Sequence, residues 1–221
     1  MTTQPPEPPA THSEHVSWLV RAAPVLLLLL ALGVLVLRRD RSQEQRLPTY
    51  AVLPPFQLVD QDSHSFTEAN FQGQVSIVDF IFTRCTTVCP VLTARMMRAQ
   101  HEAQTRGIAL QFVSISVDPR YDTPVRLTAY ARTRGLNTSN WRLLTGSIEA
   151  LEPVVLEGFR MLMGHEPSDG GEDDFASIFH GDHFVLVDGK GQIRGYYKVM
   201  DDTDGLRLLL RDAEALVRGG G

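Results

Sequence analysis

Phe80-Ile81-Phe82-Thr83-Arg84-Cys85-Thr86-Thr87-Val88-Cys89-Pro90 carries an apolar run directly into the only two cysteines of the chain. The longer run, Val75 to Phe82, is mostly apolar and β-branched or aromatic, as a strand buried on both faces should be. Pro90 suits a first helical turn, where a missing N–H costs nothing, so a helix is expected to begin at the second cysteine. In helical geometry residues four apart share a face, with Cβ atoms about 5–6 Å apart. Two sulfurs so placed can converge on one metal ion or close a disulfide. A disulfide needs Cα atoms about 4.4–6.8 Å apart, which one helical turn meets only with adjustment, so such a bridge would be reducible rather than structural. The helix N-terminus and the neighbouring Arg84 both favour thiolate.

Downstream, Leu92, Met96 and Ala99 recur at helical spacing to about Arg106, and Gly107 closes that helix. A second buried strand is read at Ile108 to Val117. Asp122-Thr123-Pro124 supplies an N-cap residue and an early proline for a helix to about Arg134. Trp141–Leu144 reads as a strand, Ser147–Leu156 as a helix and Phe159–Met163 as another strand. Residues 164–177 form an acidic loop with Glu166, Asp169, Glu172, Asp173 and Asp174. His183–Val187 and Gln192–Tyr197 flank Asp188-Gly189-Lys190-Gly191, a hairpin signal, and Asp204–Arg218 makes a last amphipathic helix. Upstream, Phe56–Asp60 and Ser65-Phe66 read as short strand and turn. The order predicts an α/β fold, a thioredoxin-like central sheet with helices on both faces. A thiol pair at the top of the first helix is where that architecture puts its reactive site.

The chain has 221 residues and a net charge of −5. Its basic residues do not cluster, which argues against nucleic acid as a partner, and no phosphate-binding glycine loop occurs. Residues 1–15 read as a disordered, proline-rich tail. Val16–Leu37 is almost wholly apolar except Arg21 and is long enough to span a bilayer. It ends in Leu37-Arg38-Arg39-Asp40-Arg41 rather than a small-residue cleavage site, so residues 16–37 are expected to be an uncleaved anchor. Residues 38–50 then form a linker and 51–218 the folded domain. Arg38, Arg39, Arg41 and Arg46 follow the span, which by charge count favours a cytoplasmic domain. Working dithiol chemistry favours the other face, the periplasm or intermembrane space, and the chemistry is given the greater weight.

Two thiolates suit a soft ion such as Cu(I), and one imidazole can complete a three-coordinate site that also tolerates Cu(II). Among the seven histidines, His12, His15, His64, His101 and His165 read as surface residues. His180 and His183 stand at the mouth of the strand Phe184–Val187 and are the candidate third ligands.

At this point the sequence resembles the Sco (SenC) family of membrane-anchored, thioredoxin-fold copper proteins. The likeness rests on Phe82-Thr83-Arg84-Cys85-Thr86-Thr87-Val88-Cys89-Pro90-Val91, on Ser116-Val117-Asp118-Pro119-Arg120-Tyr121-Asp122-Thr123-Pro124, on His180 with Phe184-Val185-Leu186-Val187-Asp188, and on Gly191-Gln192-Ile193-Arg194-Gly195-Tyr196-Tyr197. The resemblance implies copper bound by Cys85, Cys89 and His180, the histidine lying four residues before Phe184. Thr86-Thr87 replaces a Pro-Asp pair common between the family's cysteines, and Gly181 stands where Ser or Thr commonly follows the histidine. The Asp118-Pro119 and Asp122-Thr123-Pro124 block is read as serving the fold, as a strand exit and helix cap.

The resemblance further implies a copper metallochaperone, a thiol reductant, or both, building the binuclear copper site of cytochrome c oxidase subunit II. Its partners would be that subunit or another copper acceptor, and a copper donor protein. Cys85 and Cys89 would then also be the redox dithiol. Two other readings compete. One is a general membrane-tethered thiol–disulfide oxidoreductase, although C-x-x-C is the usual spacing for that chemistry. The other is a copper- or redox-responsive regulator, with the acidic loop as a recognition surface. Met161 and Met163 are read as core rather than as auxiliary soft ligands.

Overall fold

The computed structural model describes residues 47–161, 183–200 and 203–220. They form one mixed eight-stranded sheet in the order β1-β8-β7-β4-β5-β6-β2-β3. The strands are β1 (Ala51–Val52), β2 (Gln57–Asp60), β3 (Ser65–Thr67), β4 (Ser76–Ile81), β5 (Gln111–Ser116), β6 (Trp141–Thr145), β7 (His183–Val187) and β8 (Gln192–Lys198). The helices are α1 (Val88–Thr105), α2 (Pro124–Arg134), α3 (Ile148–Pro153) and α4 (Thr203–Arg218), and a π-helical turn, Val154–Gly158, continues α3. The sequence β4-α1-β5 followed by β7-β8-α4, in the spatial order β8-β7-β4-β5, is the thioredoxin-like arrangement expected from the sequence.

β4 lies at the centre because its side chains are apolar on both faces, and all of its residues are buried. Ile77 and Ile81 pack under α1, α2 and α4, while Val78 and Phe80 point to the opposite face, under α3 and the β2–β3 hairpin. Burying each such side chain stabilises the fold by roughly 1.5–3 kcal/mol. β4, β5 and β6 run parallel, so the chain must cross back through a helix each time. That brings the first turns of α1 and α2 to the same end of the sheet. β7 runs antiparallel to β4, with Val78 against Val185, so its first residue, His183, lies toward that same end.

Helix boundaries follow local chemistry. Thr123 precedes α2 in an extended conformation, Pro124 opens the helix, and Gly135 ends it at φ 67°. The cap is Thr123, while Asp122 turns inward to a different task. In the hairpin, Asp188 Oδ1 accepts the N–H groups of Lys190 and Gln192, both at 2.9 Å, and Arg194 donates to Oδ2 at 2.6 Å.

Phe159 to Met161 do not form the expected strand. The Phe159 N–H closes the π turn on Val154 O at 2.8 Å, and its carbonyl accepts the Tyr196 hydroxyl at 3.0 Å. Its ring is fully buried, edge-on to Phe80 at 5.3 Å. The apolar run was thus a packing signal, with its backbone groups spent on a turn. Met161 packs against the same core, whereas Met163 and the acidic loop 164–177 lie outside the described residues. At the start of the domain, Arg194 donates to the carbonyls of Leu47 and Pro48, and Tyr50 N–H bonds Ile193 O. Residues 47–50 are therefore laid along β8. Among the described residues no helix is long and apolar enough to cross a membrane, and Val16–Leu37 lies outside them.

Candidate functional site

Between β4 and α1 the chain makes a turn at Cys85, whose N–H bonds Phe82 O at 3.1 Å. The helix itself begins at Val88, one residue before the expected start at Cys89, so Cys85 lies in the turn ahead of it and the two cysteines do not share a helical face. Thr87, the N-cap residue, makes no side-chain cap; instead the Cys85 sulfur accepts the Cys89 N–H at 3.3 Å. One orphan donor of the helix start is thereby satisfied by sulfur. Cys85 also lies 3.9 Å from the Thr87 hydroxyl. Both cysteines are buried and neither is in a disulfide.

The turn is held in place from β5 and the loop behind it. Asp122 accepts the Thr83 N–H at 3.0 Å and the Ser116 hydroxyl at 2.6 Å, and its other oxygen takes the Thr83 hydroxyl. Asp118 takes Nε and Nη2 of Arg84 on one oxygen, at 2.9 and 2.7 Å. Residues 83 and 84, directly before Cys85, are thus clamped by two aspartates 34 to 39 residues away in sequence. The Asp118–Asp122 block does more than leave a strand and cap a helix: it positions the cysteine turn. Burial pushes the Asp122 carboxyl up, against the lowering effect of the Ser116 and Thr83 bonds.

The two thiols are unlike. Burial alone would raise Cys85, but bonds from Cys89 and Thr87 together outweigh it and hold Cys85 below the ordinary thiol value. Burial pushes Cys89 up to about 12; the Phe82 backbone opposes this, and Cys85 and the Asp79 carboxylate reinforce it. The expectation of thiolate therefore holds for Cys85 and fails for Cys89, which lies deeper. Arg84, the cation next to Cys85 in sequence, is paired with Asp118 at 2.7 Å.

Asp79 was not singled out in the sequence. It sits fully buried in the middle of β4, accepts the Ser114 hydroxyl at 2.5 Å, and leaves Oδ2 with no hydrogen-bond partner. Burial pushes its carboxyl up to about 7. A lone aspartate inside an otherwise apolar strand was the available signal.

His180, the expected third ligand, lies outside the described residues, as do His12, His15 and His165. His183 is half-buried at the first position of β7, at the cysteine end of the sheet. His64 and His101 are exposed. Asp60, Asp62 and His64 lie near one another, but Asp60 is spent on the N–H groups of Asp62 and His64, at 2.9 and 2.8 Å, which makes the group a turn. What the cysteine turn offers is two free sulfurs side by side, a donor set suited to a soft ion or to thiol exchange.

Comparison with known proteins agrees with this geometry. The chain is 32% identical over 163 residues to the SCO1 protein homolog of Bacillus subtilis, covering 73% of this chain and 81% of the relative. The solved structure of BsSco, described as a cytochrome c oxidase assembly protein of the Sco family with a disulfide switch, superposes with a TM-score of 0.64 at 29% identity, covering 77% of this chain and 97% of that one. Yeast Sco1 with copper bound gives 0.61 at 25% identity, covering 73% and 87%. The SCO1/SenC family model matches residues 44–212, and on that evidence the chain belongs to the SCO1/SenC family.

Proposed function

We propose that this protein binds copper through Cys85, Cys89 and His180 and hands it to a copper acceptor, with the binuclear site of cytochrome c oxidase subunit II as the target. The observation that carries the reading is the cysteine turn itself: two free sulfurs, one held by the N–H of the other, in a loop clamped by Asp118 and Asp122. Copper here is cargo, and a trigonal sulfur-rich site suits an ion that must be both held and released. Yeast Sco1 has been solved with copper bound, and BsSco is described as an oxidase assembly protein with a disulfide switch.

The inequality of the two thiols favours a second role on the same residues, reduction of target cysteines before copper binds. The Cys85 thiolate attacks one sulfur of a target disulfide and a target thiolate leaves. Cys89 then attacks the Cys85 sulfur of the mixed disulfide, and the second target thiolate departs and takes up the proton that Cys89 loses. The target gains two electrons and Cys85–Cys89 becomes the disulfide. Residues 16–37 would tether the domain, 51–218, to the inner membrane on its periplasmic or intermembrane-space side, where such a pair can oxidise.

Copper titration, read by sulfur-to-copper charge-transfer absorption, tests the assignment. Cys85→Ser, Cys89→Ser and His180→Ala should lose or severely weaken the band, and His183→Ala should keep it. A silent His180→Ala beside a dead His183→Ala would move the third ligand to His183. Strong disulfide reductase turnover indifferent to copper would favour the oxidoreductase alone.

A further inference from the structure

Large apolar side chains left in water are few among the described residues: Tyr50, Val52, Val88, Val91 and Val125. Isolated cases need no explanation, but three of these five lie on the first turns of α1 and α2, the two turns that parallel β4 and β5 bring to the cysteine end. Val125 is 78% exposed. Close by, the Tyr121 ring is stacked by two guanidinium groups, Arg84 at 4.6 Å and Arg126 at 3.7 Å. Arg84 is engaged with Asp118. Arg126 donates one N–H to Tyr121 O at 2.9 Å, and no carboxylate among the described residues pairs with it. Its exposed guanidinium is thus held in one orientation with donors to spare. A carboxylate from another molecule can bind it without the entropy cost of ordering a free arginine.

We propose that Val88, Val91, Tyr121, Val125 and Arg126 form the docking rim for the protein on which the cysteines act, whose docking segment presents apolar side chains and a carboxylate for Arg126. This names the kind of partner served by the copper and thiol reading above, and rests on that reading. Apolar contact supplies adhesion, and the ion pair supplies orientation and encounter rate. The chain carries a net charge of −5, so attraction of an acidic segment is local to Arg126 and acts against the charge of the whole molecule.

The test uses the full chain, reduced and kept in a neutral detergent, with two synthetic peptides whose single cysteine is activated as a thiopyridyl disulfide. Glu and Phe flank the cysteine in one peptide, Lys and Ser in the other. The Cys85 thiolate bonds to the peptide sulfur as thiopyridone leaves, and Cys89 then displaces the peptide thiol. Each rate is divided by that for a neutral dipyridyl disulfide, which has no flanking residues, so that differences in thiol reactivity cancel. The acidic, apolar peptide should react about tenfold faster at low salt, with the ratio falling at about 0.5 M salt to the smaller preference that apolar contact alone supplies. Arg126→Glu should invert the preference, and Val125→Ser should reduce it at every salt concentration. A ratio unchanged in both variants overturns the docking rim and leaves the dithiol chemistry standing. Failure of the unmodified protein to react with the dipyridyl disulfide overturns that chemistry and the rim with it.

Discussion

The two ends of the sheet present opposite surfaces. At the end where β4 and β5 finish, charged and sulfur-bearing groups crowd together: Cys85, Cys89, and the pairs Arg84–Asp118 and Thr83–Asp122. At the other end lies a cavity of about 660 Å³, lined by amides and small residues including Gln74, Gln100, Gln104, Asn137, Ser139 and Asn140, with no charged or sulfur-bearing residue in its lining. The walls of this cavity supply hydrogen bonds and apolar contacts without an acid or a base. The cysteine end has reactive groups and a scaffold that fixes them. Chemistry in this fold is located by the reactive groups that the loops fix at one end of the sheet.

The largest difference between the two ends is expected at the cysteines. Cys85 is held below the ordinary thiol value and Cys89 is raised to about 12, so at pH 8 alkylation should fall almost entirely on Cys85. In Cys85→Ser the remaining thiol should react at least ~100-fold more slowly than the remaining thiol of Cys89→Ser, as followed by mass spectrometry of timed samples. Equal rates would contradict the asymmetry.

Asp79 lies beneath the same end and gives the next largest effect. Its carboxyl is raised from 3.8 to about 7 by burial, so folding takes up a proton between those pH values. The stability it contributes is complete below about pH 4 and is lost as pH rises through about 7. Asp79→Asn should match the parent near pH 4 and exceed it at pH 8 by roughly 1–4 kcal/mol. Denaturant unfolding at the two pH values reads this directly; a constant difference across pH would count against it.

Asp122→Ala removes the acceptor for Thr83 and Ser116. It should lower stability by roughly 2–3 kcal/mol and weaken copper binding as well, because the turn before Cys85 is released. Gln100→Ala probes the opposite end. It deletes bonds to Asn137 O at 2.8 Å and Asn140 Oδ1 at 2.6 Å, and should lose about 1–2 kcal/mol of stability with copper binding unchanged. Coupling of Gln100 to copper affinity would erase the distinction between the two ends.

Much of this was legible in the sequence. β4 and its near-continuous apolar run, the helix after it, the Asp188–Gly191 hairpin and the thiol pair at a strand-to-helix junction all follow from local sequence pattern and turn chemistry. What escaped was non-local. The bonds from Asp118 and Asp122 to residues 84 and 83 span 34 and 39 positions, and no pattern in either segment announces the other. That clamp also keeps Cys85 out of α1: residues 83 and 84 are pinned to Asp122 and Asp118, and the Cys85 sulfur caps the helix from outside it. Asp79 was hidden by the apolar company it keeps. Phe159 to Met161 were read as a strand because burial and strand pairing leave the same apolar mark.

X-ray absorption at the copper edge of the loaded protein counts the atoms that bind the metal. The proposed site requires two sulfurs at bonding distance and one imidazole nitrogen, falling to a single sulfur in Cys89→Ser. A metal coordinated only by nitrogen and oxygen would contradict it, whatever the affinity.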